Sequence, residues 1–533
     1  MTFEQKIQDE KKNILLIVIL WLILTGININ KAFHIDDTFH LKAAECIIDH
    51  PLSPMSGMIN WGEDPAPMYS YNQPPLFFFL LAIVLKIFGS NEISAHLLIS
   101  IFTFAALFWF YRITELMQVK RKSLLLIIFS FCPAFIVNQN LMVDIPVLAI
   151  ILGVLFYSLK AKKKDPLKNN LIAVILLSFG LLIKYTVLPV LFAFIVDHII
   201  SGSYKKVWTA LIPIFIIVLW SFWNYAEYGA VHLINRPKNS FESIRVIEFI
   251  ACLGALSTFA PTFLNGLFPT KATKYLLYML FVFFSVFSIL KYLHLAKFPD
   301  SVDLNLIFLV TGITMLIVIV FFIIKHIRDV SFDFIRSYKM TVLLYMLAIS
   351  FFIVLFSPFI ATRHILLIIP LVLLFGHEFF ERADQYVNGL TVFSTIFLGL
   401  SLGISDWVYA DFYRKTARMV NLNSDQNVWS VGHWGWQWYS EQEGMKVYSR
   451  NDIGSVRTGD YIVFPKDVHK QEINPCIKVQ IINKITLPSN LLTFFSGKHF
   501  ASMYKSEYNK PPWRLSDRTI DTVIIAKVVA ILK

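Results

Sequence analysis

Apolar runs long enough to cross a bilayer recur from Asn13 to about Ser405, and nothing else in the chain restricts its fold as tightly. In hydrocarbon every backbone N–H and C=O must be paired internally, so runs of this kind become helices. The 533 residues are 56% hydrophobic, well above the soluble globular average. The expected fold class is mainly α, a polytopic membrane helix bundle over residues 1–405. Residues 406–533 lose the long apolar runs and gain charge, Gly, Pro and Asn, which implies a separate water-soluble α/β domain. The formal net charge of +12 does not call for nucleic acid, because much of it sits in short loops where Lys and Arg set orientation. Cys46, Cys132, Cys252 and Cys476 lack CxxC spacing, so neither a zinc site nor a disulfide framework is indicated.

Basic residues orient the helices. Lys6, Lys11 and Lys12 hold the N-terminus in the cytoplasm, and the first apolar run reads as a retained signal anchor rather than a cleaved peptide. The run Leu76–Phe88 covers only about two-thirds of a ~30 Å core at ~1.5 Å per residue. It is therefore read as interfacial or re-entrant. Residues 93–111 then cross inward and leave Arg112, Lys120, Arg121 and Lys122 in the cytoplasm. Later spans are expected near 123–137, 145–159, 170–183, 186–200, 207–225, 246–268, 275–293, 303–325, 340–360, 364–381 and 388–405. The total of about thirteen crossings is odd, which makes the C-terminal domain extracytoplasmic. No Asn-x-Ser/Thr sequon occurs, which favours a bacterial plasma (inner) membrane over the endoplasmic reticulum.

One long polar stretch interrupts the apolar pattern early on. Residues 31–75 include His34-Ile35-Asp36-Asp37-Thr38-Phe39-His40 and Tyr71-Asn72-Gln73-Pro74-Pro75. Adjacent carboxylates beside a hydrocarbon boundary are costly unless they act or sit in water. Asp36 or Asp37 suits a general base toward a hydroxyl, and equally suits the cap of a helix starting near Phe39. Asp144, before Pro146, has the same two readings. Lys184 and Arg363 each interrupt an apolar stretch, either snorkelling or meeting an anion such as phosphate. Asp36, Asp144 and His40 have donor atoms suited to a divalent metal, though their spacing matches no metal signature. Pro74 stiffens the chain at Gln73, which with Asn72 is presented toward a sugar. Trp434, Trp436 and Trp438 alternate, so in a strand they would share a face for stacking on sugar, for the membrane interface or for burial. The topology puts Asp36, Asp37, Asp144, Lys184, Arg363 and His364 at one outer surface.

Several of these stretches together resemble the GT-C glycosyltransferases that use polyprenyl-phosphate sugars, the protein O-mannosyltransferases and the aminoarabinose transferases among them. The matching residues are Ile35-Asp36-Asp37-Thr38, Asn72-Gln73-Pro74-Pro75-Leu76, Phe88-Gly89, Asn140-Leu141-Met142-Val143-Asp144, Leu182-Ile183-Lys184-Tyr185, and Arg363-His364 with Pro370. The likeness covers roughly residues 10–400. The segment Gly432–Tyr439 is similar to one in bacterial relatives. The resemblance implies an inverting transfer of a sugar from a polyprenyl-phosphate donor to a lipid, glycan or protein acceptor. By it Asp36 would be the catalytic first-loop Asp and Asp144 the second outer-loop Asp, and Lys184 would lie near the donor phosphate. Asp37 stands where the family usually has Glu, and Gln73 where some relatives have Lys, so donor identity does not transfer. The rival class is a transporter or flippase of lipid-linked sugars, which would set its ionisable groups at mid-membrane and need no soluble tail.

Overall fold

A computed structural model describes residues 3–70, 73–235, 241–292, 302–420, 426–497, 501, 503–505, 510–516 and 518–532. Asn72, expected as a substrate contact, lies outside these residues. Seven described helices are long and apolar enough to cross a membrane: Glu92–Leu116, Asp144–Ala161, Pro166–Ile183, Tyr204–Tyr228, Leu304–Arg328, Tyr338–Phe356 and Gln385–Met419. Shorter apolar helices cover Lys12–Asn28, Leu76–Phe88, Tyr185–Ile200 and Thr362–Phe375.

Breaks occur where the sequence withholds a backbone donor. The run expected over 123–137 divides into Lys122–Ser130 and Pro133–Val137, with Pro133 unable to continue the first ladder. The run expected over 246–268 is not straight. Ile244–Leu256 and Ala260–Leu267 meet at 87°, with Pro261 in the first turn of the second helix. Gly254 and Gly312 let two helices touch backbone to backbone: a Cβ on either would overlap a carbonyl oxygen, of Phe308 or of Ile250. Small residues at such crossings are the usual means of close helix packing in lipid.

The C-terminal region holds a five-stranded mixed sheet in the order Lys446–Val447, Val428–Ser430, Tyr461–Pro465, Asp521–Ile531, Ile477–Leu487. Val428–Ser430 pairs in parallel with both its neighbours, and the other pairings are antiparallel. The last membrane helix, Gln385–Met419, continues past residue 405 toward this sheet.

The tryptophan segment is a helix, Trp434–Gln442, and not a strand. Its backbone approaches the first loop so closely that a Cβ on Gly435 would overlap the Phe33 carbonyl oxygen. Helical spacing sends Trp434, Trp436 and Trp438 in different directions, since residues two apart share a face only in a strand. Trp436 and Trp438 are buried, so Trp436 packs in the core and offers no ring to a substrate. This helix fastens the sheet domain to the loop. The Thr38 hydroxyl donates to the Trp434 carbonyl at 2.6 Å, the Phe33 N–H to the Tyr439 hydroxyl at 2.8 Å, and Lys42 pairs with Glu441 at 3.0 Å.

Candidate active site

Asp36 and Asp37 begin the helix Asp37–Asp49, and the two carboxyls do different things. Asp36 stands at the cap position yet makes no side-chain cap bond. Its Oδ2 instead accepts from Arg363 Nη1 at 2.9 Å, and its side chain is 33% exposed. Asp37 is fully buried, with Oδ2 accepting the His34 N–H at 2.8 Å and Oδ1 the Leu141 N–H at 2.9 Å. Its carboxyl thus ties the first loop to the 138–144 loop. Burial pushes it up to about 8, against the opposing pull of those two N–H groups and of Lys31.

Asp144 starts the helix Asp144–Ala161 and is 1% exposed. Lys184 Nζ donates to its Oδ1 at 2.7 Å, and Arg363 Nε lies 3.9 Å from its Oδ2 with no hydrogen-bond partner among the described residues. Lys184 reaches it because the helix Pro166–Ile183 ends at an extended Lys184 (φ −157°). Arg363 sits in the short helix Thr362–Leu366 and also donates to Met142 Sδ. Asp36, Asp144, Lys184 and Arg363 therefore come from four distant stretches and form one connected cluster of two acids and two cations. Such a cluster is chemically suited to an anionic group held beside a partly open carboxylate.

Known proteins resemble this chain in sequence over one stretch and in structure more broadly. Residues 72–224 match the family model described as dolichyl-phosphate-mannose-protein mannosyltransferase. The match spans under a third of the chain and makes that stretch similar to those mannosyltransferases. Among solved structures, ArnT from Cupriavidus metallidurans bound to undecaprenyl phosphate aligns at 10% identity and TM-score 0.42, covering 98% of each chain. The Archaeoglobus fulgidus oligosaccharyltransferase AglB, with an inhibitory peptide and a dolichol-phosphate, aligns at 11% identity and TM-score 0.49 over 86% of this chain and 69% of its own. No curated protein matches the sequence.

Around this cluster the remaining expected residues fall as follows. His364 is buried, with Nδ1 3.5 Å from the Ser357 hydroxyl. Gln73 is half-buried, and its Oε1 has no partner among the described residues. Trp434 is half-buried and lines a small cavity with Ile35, Asp406 and Tyr504. His40 packs on Phe77 and Phe78 at ring distances of 6.1 and 5.2 Å. A metal held by Asp36, Asp144 and His40 does not fit. Among the described residues no three His, Cys, Asp or Glu side chains converge, and both carboxylates already face cations.

Sequence reasoning missed two features of this region. Arg245 is buried and donates to the carbonyl of Ser357, which adjoins His364. Lys31 forms a buried ion pair with Asp406 at 2.5 Å. Both lysine and aspartate flank apolar runs, where charge reads only as a marker of a helix end.

Buried histidines outside the spans give the fold an acid limit. Burial lowers His34, His40 and His433 from 6.5 to about 4. Unfolded histidines take up protons as pH falls through 6.5, while these three resist until about 4, so the folded state binds fewer protons in that window. The stability they supply is present above about 6.5 and is lost toward 4, on the order of 3 kcal/mol each at the limit. The raised Asp37 and Asp521 carboxyls, which take up protons earlier in the folded state, offset part of that loss. The melting temperature of the detergent-solubilised protein is expected to fall steadily from pH 6.5 to 4; a flat profile would contradict this account.

Proposed function

We propose that this membrane glycosyltransferase is an inverting enzyme of a bacterial plasma membrane. It moves one sugar from a polyprenyl-phosphate donor to an acceptor on the outer face. Asp36 accepts the proton of the acceptor hydroxyl as its oxygen attacks the anomeric carbon. The bond from that carbon to the phosphate oxygen breaks, and Lys184 and Arg363 take up the charge of the departing polyprenyl phosphate. Asp144 holds both cations in place, and Asp37 fixes the loop. His364 and Gln73 border the substrate space, and Trp434 and the 406–533 region help select the acceptor. The N-terminus is cytoplasmic, and residues 31–75 and the C-terminal domain are outside.

The observation that carries the reading is the contact of a partly exposed Asp36 with an Arg363 whose Nε–H is still unused. A transporter would need charge along a path through the bilayer, whereas here the charges gather beside the loop that the sheet domain clamps.

Two measurements test it. Leu52 in the first loop is 75% exposed, and the Lys120 side chain is 80% exposed. With the native cysteines replaced, Leu52→Cys should react with a membrane-impermeant maleimide in intact cells and Lys120→Cys only after permeabilisation; the reverse pattern would refute the assigned face. Mass spectrometry of envelope lipids, glycans and proteins should show one sugar modification that disappears when the gene is deleted. An unchanged envelope would count against sugar transfer.

A further inference from the structure

Behind the site lies a second ionic cluster that the transfer chemistry does not use. Lys31 Nζ and Asp406 Oδ2 are 2.5 Å apart, and both side chains are 1% exposed. Lys31 also donates to Asn140 Oδ1 at 2.5 Å and to the Val137 carbonyl at 3.1 Å. The Tyr504 hydroxyl donates to Asp406 Oδ2 at 2.7 Å and accepts from Asn140 Nδ2 at 2.9 Å. His34 is fully buried, its Nε2 3.9 Å from Asp406 Oδ1, and neither ring nitrogen nor that oxygen has a hydrogen-bond partner among the described residues. Buried ion pairs seldom add net stability, because desolvation offsets their attraction. Stability alone therefore does not account for this one.

Its position in the chain suggests a different purpose. Asn140, clamped by Lys31 and Tyr504, precedes Leu141, whose N–H holds Asp37. Next to Asp37 is Asp36, and before that Ile35, a β-branched residue at φ +50°. Such a backbone is costly and persists only where its surroundings impose it. Trp434, at φ +63°, is the other strained residue here, and it lines the same small cavity as Ile35, Asp406 and Tyr504. Tyr504 comes from the C-terminal region, whose neighbouring Met503 carbonyl accepts from both the N–H and the hydroxyl of Thr362, the residue before Arg363. One cluster thus touches the segments that carry Asp36, Asp144 and Arg363.

We propose that Lys31, Asp406 and Tyr504 are positioning residues that impose the Ile35 turn, so that Asp36 faces Arg363 only while the Tyr504 hydroxyl is seated between Asn140 and Asp406. The proposal rests on Asp36 being the base. Misplacing a reacting group by about 1 Å costs on the order of 10²-fold in rate. The test uses the full chain purified in detergent, supplied with the lipid-linked sugar fraction of its own cells. Turnover is followed as release of free polyprenyl phosphate, and undecaprenyl phosphate serves as the binding probe. Tyr504→Phe removes only a hydroxyl. It is expected to lower turnover about tenfold or more while the affinity for undecaprenyl phosphate stays at the wild-type value and the melting temperature falls only by the few degrees that one lost buried hydroxyl costs. The double change Lys31→Met with Asp406→Leu removes both charges together, which keeps the interior neutral. It is expected to fold with wild-type stability and to turn over on the order of 10²-fold more slowly. Wild-type turnover in both variants, with Asp36→Asn inactive, would overturn the positioning role and leave the base in place. Full activity of Asp36→Asn would instead remove the base. Loss of stability and of lipid binding in step with turnover would make the cluster merely structural and also overturn the proposal.

Discussion

Asp36→Asn is expected to reduce sugar transfer by roughly 10²–10⁴-fold, the usual contribution of a positioned general base. Asparagine keeps the shape of the side chain, and its oxygen still accepts from Arg363 Nη1. Its amide nitrogen cannot take a proton from an acceptor hydroxyl. Because the Asp36 side chain is 33% exposed, losing its ion pair should change stability by no more than about 1 kcal/mol. The affinity for undecaprenyl phosphate should hold, since Lys184 and Arg363 remain. A drop in turnover with melting temperature and lipid affinity unchanged separates loss of a base from loss of fold. Asp37→Asn should behave differently. Its carboxyl serves two backbone N–H groups, so that change should loosen the loop and lower stability as well.

Lys184→Met is expected to have the second-largest effect, and on two quantities at once. It leaves Asp144 buried with only Arg363 at 3.9 Å, and breaking a buried pair from one side costs about 3–5 kcal/mol. It also removes a cation from the departing phosphate, a loss of about 10²–10³-fold in rate by analogy with other charge-stabilising donors. The two effects can be separated. Lys184→Met combined with Asp144→Asn removes the unpaired carboxylate, so most of the stability should return. Turnover and affinity for undecaprenyl phosphate should stay low. If turnover recovered together with stability, Lys184 would be a structural partner of Asp144 and no phosphate ligand.

These expectations show what could be read from the residues alone. Long apolar runs gave the helices, because lipid leaves a chain few other ways to pair its backbone. Asp144, Lys184 and Arg363 stood out because charge within apolar sequence is costly. Other features were hidden in the sequence for physical reasons. Asp36 and Asp37 are neighbours of one residue type, and only the turn at Ile35 decides which carboxyl stays open and which is sealed in. Tryptophans at every second position fit a strand, but close packing of Gly435 on Phe33 goes with a helix there. The partnership of Lys31, Asp406 and Tyr504 spans almost the whole chain, and no local pattern connects them. The domain boundary has the same difficulty. The helix through residue 405 continues to Met419, so the change in composition precedes the change in structure.

The most direct test of the account is release of free polyprenyl phosphate by the purified protein when it is given the lipid-linked sugar fraction of its own cells and an envelope extract as acceptor. Wild type should release it with the sugar appearing on the acceptor in equal amount, while Asp36→Asn, with undecaprenyl phosphate affinity intact, should release almost none. Equal release by the two proteins, or none by wild type with every fraction supplied, would contradict it.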